Sequence, residues 1–312
     1  MKDKVFMVIV ILCLVLVGCK SSDSVSKAPE EQYKVGITTF SLANNFIRVG
    51  RDTAIEEIEK LGGIALANVD DNLQGRISSI ENMINQGVDA IIVHEGDVTQ
   101  VIPSLEEAQK QGILVVAMNS GHTDILDLSV EPDNEYLGTK AGEELVELMG
   151  GKGNIIEIYN DAGAMIRARK EAAHAVLDKH PDVKVTAGFV YAWPDYFPDA
   201  KAKIESILQA NPNPGDISGV YATFYGVGIA ASQAITEAGR QDEIVVVGID
   251  SDPETYEEMK KENSPYKSTV ESDPEFLATE TINSLFKILE GEKISDSHIF
   301  IPGKVVRAKD LD

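Results

Sequence analysis

The residues of this 312-residue chain best suited to chemistry fall just after its short apolar runs. Phe40, Asn44 and Phe46 follow the first run, His94 closes a later one, and Asn119-Ser120 follow the next. Further on come Tyr191-Ala192-Trp193-Pro194-Asp195-Tyr196-Phe197, then Phe224-Tyr225, then Asp250. Six of the 19 aromatic residues lie in the two segments Tyr191–Phe197 and Phe224-Tyr225. Rings beside amides, carboxylates and a guanidinium suit a polyhydroxylated ligand. The C–H faces of a sugar or polyol pack on rings, and its hydroxyls exchange paired hydrogen bonds with the charged and amide groups. For any one ring taken alone, packing within a core is the competing role.

Other motifs carry less. The chain has no Gly-x-Ser-x-Gly elbow, P-loop or zinc motif, so an enzyme is not expected. Asp70-x-Asn72-x-Gln74-Gly75, with Ile77 and Glu81, fits a calcium-loop spacing. Ser78 to Gln86 continues a helix and no flanking EF-hand helix precedes Asp70, so a polar strand-to-helix turn is expected there. Gly150-Gly151-Lys152-Gly153 precedes a strand instead of following one, which makes it a helix-to-strand turn. His94, His122, His174, His180 and His298 show no ligand spacing; neither a metal nor a cofactor is expected. His94, at a strand end, is placed to face a cleft.

The scaffold is legible from periodicity. Apolar runs at 34–39, 64–69, 90–94 and 114–118 alternate with helices at about 45–61, 73–86 and 100–111. In the first helix Ile47, Ala54, Ile55, Ile58 and Leu61 recur at helical spacing, and Gly62-Gly63 stop it. A second set begins near Asp133, with strands at about 154–159, 183–190, 219–223 and 244–249. Helices at about 137–149, 167–179, 200–210 and 226–238 separate them. This alternation predicts an α/β fold of right-handed βαβ units, forming two doubly wound parallel-sheet lobes with a cleft between them. Ligands of such sheets sit beyond the carboxyl ends of the strands, where the residues named above fall.

Composition and the amino terminus limit the setting. The chain is 43% hydrophobic and 25% charged, and its length suggests two domains of roughly 150 residues. With 28 basic and 51 acidic side chains the net charge is −23, which disfavours nucleic acid and anionic lipid as partners. Met1-Lys2-Asp3-Lys4, the apolar run 5–17 and Leu16-Val17-Gly18-Cys19 form a secretory signal. Thirteen apolar residues rise about 20 Å as a helix, short of a hydrocarbon core of roughly 30 Å, so cleavage is expected. The ending resembles a bacterial lipobox with Cys19 as the lipid-bearing residue. Cys13 leaves with the signal, and no thiol then remains for a disulfide or for catalysis. The polar segment 20–32 reads as a flexible tether.

From Tyr33 to about Val306 the chain resembles the type I periplasmic sugar-binding proteins, the ribose-binding-protein-like subunits of ABC importers. The carrying segments are Val35-Gly36-Ile37-Thr38-Thr39 with Asn44 and Phe46, Gln86-Gly87-Val88-Asp89-Ala90-Ile91-Ile92-Val93, and Pro132-Asp133-Asn134. Arg167-Ala168-Arg169, Val246-Val247-Gly248-Ile249-Asp250 and Leu289-Glu290-Gly291-Glu292-Lys293 complete the series. The resemblance implies lobes of 33–132 with 273–301 and 133–272 with 302–312, joined near Pro132/Asp133, Ser272/Asp273 and Ile301/Pro302 as a three-stranded hinge.

Carried over by position, the ligand shell falls on Phe40, Asn44, Phe46, Asn119 and Ser120 in the first lobe. The second lobe would add Arg167, an aromatic from Trp193–Phe197 (Trp193 and Tyr196), Phe224 with Tyr225, Asp250 and, at the hinge, Ser272. Arg167 and Asp250 are expected to clamp vicinal hydroxyls. Many pentose and hexose binders carry Asp-Arg where Asn119-Ser120 stand, and Asn-Asp or Trp-Asp where Phe224-Tyr225 stand. The departures favour a ligand less densely hydroxylated than ribose, or differently shaped.

The implied function is that of a substrate-binding lipoprotein of an ABC importer. It would be monomeric, held in the cell envelope by its lipid alone, and would close on a sugar or polyol for delivery to permease and ATPase subunits. The alternative is a receptor that presents a small ligand, such as a signalling furanose, to a membrane sensor or chemoreceptor. Regulators of the lactose-repressor type share the fold but open with a basic DNA-binding domain, where this chain has a signal and tether.

Overall fold

The computed structural model describes residues 32–161 and 163–311; Cys19 and the signal lie outside them. The first half of the chain runs β1 (Lys34–Phe40), α1 (Asn45–Lys60), β2 (Ile64–Asp70), α2 (Leu73–Asn85), β3 (Ala90–His94), α3 (Ile102–Lys110), β4 (Leu114–Met118) and β5 (Leu128–Pro132). It continues through α4 (Asn134–Leu148), β6 (Gly153–Tyr159), α5 (Ala164–Leu177), β7 (Val183–Val190), α6 (Tyr196–Ala210), β8 (Gly219–Ala222), α7 (Tyr225–Glu237) and β9 (Val245–Ile249). It ends with α8 (Pro253–Lys260), β10 (Tyr266–Glu271), α9 (Pro274–Leu289), β11 (His298–Ile301) and β12 (Lys304–Arg307).

Two six-stranded sheets result, in the orders β11-β5-β4-β3-β1-β2 and β12-β10-β9-β8-β6-β7. All pairs are parallel except the antiparallel β10–β12 edge. The chain passes from the first sheet to the second between β5 and β6, returns between β10 and β11, and crosses again between β11 and β12. Helix α9 therefore packs on α1 beside the first sheet, although the whole second sheet except β12 lies between them in the sequence.

Local chemistry sets these elements. The Asn44 side chain accepts the Ile47 N–H at 2.9 Å and starts α1, whose Phe46, Ile47, Gly50, Ala54 and Ile58 are buried. Gly62, at φ 82°, ends it. Strand β3 is buried throughout, as a central parallel strand covered on both faces must be. Asn72 caps α2 by accepting the Gly75 N–H at 2.9 Å. Asp70 is already engaged by Thr38 and, at 2.6 Å, by the Ser79 hydroxyl, so the calcium-like spacing forms a helix start.

Periodicity does not reveal β5, β10, β11, β12, α8 or α9, because polar residues enter the buried sheets with private partners. Glu131 in β5 meets His298 Nε2 at 2.6 Å. In β10, the Ser268 and Thr269 hydroxyls donate to the Val306 and Asp250 carbonyls at 3.2 and 2.6 Å. Helices α4, α5 and α6 begin earlier than their apolar spacing predicts, at Asn134, Ala164 and Tyr196. For α4 the cause is the Asp133 side chain, which accepts the Tyr136 N–H at 2.9 Å. No helix among the described residues is long and apolar enough to cross a membrane.

Candidate functional site

The loops beyond the carboxyl ends of both sheets line one cavity of about 310 Å³. Phe40, Asn44, Phe46, Ile47, Glu95, Gly96 and Asn119 come from the first sheet's side. Asn160, Met165, Ile166, Arg169, Tyr191, Trp193, Phe224 and Asp250 come from the second. Across the cleft the Asn45 backbone N–H points at the Tyr225 hydroxyl oxygen.

Four of the five non-glycine residues with positive φ among the described residues directly follow a strand: Ser41, Glu95, Asn119 and Asp250, at 68°, 64°, 50° and 61°. Each costs roughly 1 kcal/mol that glycine would avoid. The last three line the cavity. The left-handed turn lifts their side chains out of the sheet and over its end, and glycine could not supply the side chain.

The charged floor is a pair made within the second lobe. Arg169 Nη1 donates to Asp250 Oδ2 at 2.6 Å, with the side chains 4% and 9% exposed. Arg169 Nε donates to Asn134 Oδ1 at 2.8 Å, and Nη1 also reaches the Thr223 carbonyl at 3.2 Å. The Ser272 hydroxyl donates to Asp250 Oδ1 at 2.6 Å. A buried pair this fully bonded is rigid before any ligand arrives, which lowers the ordering cost of binding.

An aromatic wall stands on the same side. Phe224 meets Tyr191, Trp193, Tyr196 and Tyr225 at centroid distances of 6.1, 6.3, 5.0 and 4.5 Å. Trp193 stacks on Tyr196 at 5.4 Å and presents itself to the cavity. Such edge-on packing fixes ring orientation, leaving ring faces for ligand C–H groups.

Opposite lies a carboxyl that sequence reasoning missed. Arg76, buried in α2, donates to the Glu95 and His94 carbonyls at 2.7 and 2.9 Å and stacks 5.2 Å from the centroid of Phe40. That clamp holds the turn projecting Glu95. Asn119 Nδ2 donates to Glu95 Oε1 at 2.7 Å, while Asn119 Oδ1 is buried with no partner among the described residues. Burial pushes the Glu95 carboxyl up to about 7. The folded chain thus holds that proton more tightly than the unfolded chain, and the group subtracts stability as pH rises from the ordinary carboxylate range through about 7. Burial pushes His94 the other way, down to about 3, so it stays neutral in the fold. Its contribution is lost as pH falls below the usual imidazole range, where only the unfolded chain takes up the proton.

Of the residues expected from sequence, Phe40, Asn44, Phe46, Asn119, Trp193, Phe224 and Asp250 line the cavity; the others stand behind it or away from it. His94 is fully buried against Thr39 and Gly50. The Ser120 hydroxyl donates to the Val93 carbonyl at 2.8 Å. Tyr196 backs Trp193, Tyr225 closes across the lobes, and Ser272 positions Asp250. Arg167 requires a correction. Its side chain is 47% exposed and donates to the Asp161 carbonyl at 3.0 Å, outside the cavity. The arginine facing Asp250 is Arg169. The signal was present: Arg169, Ala173, Val176 and Leu177 share the buried stripe of α5, and Arg167 lies off it.

Two doubly wound sheets, with a rigid ion pair and rings facing amides across one cleft, define a two-lobed solute-binding protein. The chain belongs to the periplasmic binding protein domain family, whose model matches residues 35–293, and its members are substrate-binding proteins, not enzymes. The xylitol-binding protein of Mycolicibacterium smegmatis is 29% identical over 240 residues, 75% of this chain and 66% of that protein. The ribose import binding protein of Bacillus subtilis is 25% identical over 308 residues, 94% of this chain and 95% of that one. An ABC sugar transporter subunit from Rhodobacter sphaeroides superposes with a TM-score of 0.84 at 25% identity, covering 89% of this chain and 99% of its own.

Proposed function

We propose that this chain is the substrate-binding component of an ABC importer, which closes on a sugar or polyol and delivers it to the permease and ATPase subunits. In this reading it is a monomer tethered in the cell envelope by lipid on Cys19. The observation that carries the reading is the Arg169–Asp250 pair beside the Trp193–Phe224 wall, facing Asn119 across the cleft. The pair and amide exchange hydrogen bonds with hydroxyls, and the rings take the C–H faces. Relatives named for xylitol and ribose support this ligand class. Contacts from both lobes to one ligand exist only when the lobes are closed, so the ligand selects that state. Ile47, Met165 and Ile166 offer no hydrogen bonds to a ligand, which favours one with fewer hydroxyls than a hexose.

A thermal-shift panel of xylitol, D-ribose, deoxy sugars, furanoses, hexoses, amino acids and nucleosides tests the class. At a hundred times Kd the bound form gains about 2.7 kcal/mol, a shift of several degrees. Stabilisation by a sugar or polyol is expected; stabilisation by an amino acid or nucleoside alone contradicts the proposal.

A further inference from the structure

We propose that Glu95 is the cleft's proton-bearing contact: its carboxyl donates a hydrogen bond to a hydroxyl oxygen of a neutral ligand, while Asn119 Oδ1 accepts that ligand's neighbouring hydroxyl proton. The inference rests on the sugar or polyol reading above and specifies how the first lobe meets such a ligand.

Glu95 lines the cavity from a left-handed turn that Arg76 fastens through the His94 and Glu95 carbonyls, so the side chain is presented deliberately. Among the described residues, no lysine or arginine pairs with its carboxyl. The charged and titratable groups around it are accounted for. Arg76 spends both terminal nitrogens on carbonyls, and Arg169 is committed to Asp250. His94 Nε2, at 3.7 Å, belongs to a buried neutral ring, and Asp250 adds a repelling negative charge.

A carboxyl in that setting sheds its charge by keeping its proton. The direction of its shift, caused chiefly by burial, agrees. Asn119 Nδ2 donates to Oε1, which marks Oε1 as the acceptor oxygen and leaves the proton to Oε2. The adjacent Asn119 Oδ1 is an orphaned buried acceptor, which a ligand hydroxyl would satisfy. Donor and acceptor side by side recognise vicinal hydroxyls. With Asp250 also in the cavity, the arrangement disfavours sugar acids and sugar phosphates.

Two measurements test this. In protein labelled with 13C at glutamate carboxyls, the resonance missing from Glu95→Gln is followed from pH 4 to pH 9. A midpoint near neutrality is expected, and one in the ordinary carboxylate range overturns the proposal whether or not any sugar binds. Calorimetric titration with xylitol and D-ribose then reads the contact. If only the protonated form binds, affinity falls about 30-fold between pH 6 and pH 8.5. Glu95→Gln, isosteric with the protonated acid, should remove that dependence, and Glu95→Ala should bind about tenfold more weakly than Glu95→Gln at both pH values. Affinity that rises with pH, or Glu95→Gln as damaging as Glu95→Ala, overturns the proposal because the carboxylate is then the working form. If neither these nor any other sugar or polyol of the thermal-shift panel binds while Glu95 titrates near neutrality, the ligand class is overturned and the protonated carboxyl is supported. An ordinary midpoint with intact binding overturns the carboxyl's role and leaves the ligand class standing.

Discussion

Replacing Arg169 with methionine is expected to abolish ligand binding and to destabilise the fold by about 3–5 kcal/mol. The side chain is buried and its guanidinium joins Asp250, Asn134 and the Thr223 carbonyl. Without it Asp250 is an uncompensated carboxylate in a dry site, and that cost exceeds the net worth of the pair itself. A second substitution separates the two effects. Asp250→Asn in the Arg169→Met background removes the stranded charge, and asparagine tolerates the left-handed backbone at φ 61°. The double variant should recover most of the lost stability and still fail to bind. Urea unfolding and calorimetry check both halves; a double variant that binds like the wild type contradicts the role of the pair.

The second large effect is expected behind the site, at a residue that does not itself line the cavity. A Cβ added at Gly138 in α4 would lie 2.1 Å from the Arg169 carbonyl oxygen in α5, too close for either backbone to stay in place. That same oxygen accepts the Tyr221 hydroxyl at 2.9 Å. Gly138→Ala should therefore push α5 away, break that bond, and carry Arg169 off Asp250. Overpacking of this kind costs about 1–3 kcal/mol, and ligand affinity should fall by more than the stability loss explains. Gly142→Ala, one turn on, meets its nearest atoms at 3.2 Å and should be milder in both respects. Equal stability and affinity for Gly138→Ala and wild type would show that the helix contact does not position the arginine.

These two residues also mark how far the site was legible in the sequence. The alternation of Val- and Ile-rich runs with amphipathic stretches shows the doubly wound sheets because central parallel strands are buried on both faces. It says little where buried polar residues are satisfied by distant partners, as Glu131 by His298 and Ser268 by Val306. Positional carry-over chose the first arginine of Arg167-Ala168-Arg169. Helical phase with Ala173 and Val176 selects the second, once the helix is known to start at Ala164. Glu95 was hidden for a different reason. Its role depends on a left-handed turn and on Arg76, 19 residues away in α2, neither of which has a local signature. The aromatic cluster was easier to read because its members sit in two short segments after β7 and β8, consecutive strands in the sequence.

Trp193 gives the most direct test of the central claim, that one sugar or polyol is held between the two sheets. It is the chain's single tryptophan and it lines the cavity. Its emission should change saturably as the stabilising sugar or polyol is added, at one ligand per chain, and the change should vanish in Arg169→Met/Asp250→Asn. A compound that stabilises the protein yet leaves Trp193 emission unaltered, or alters it equally in that double variant, would place the ligand elsewhere and contradict the account.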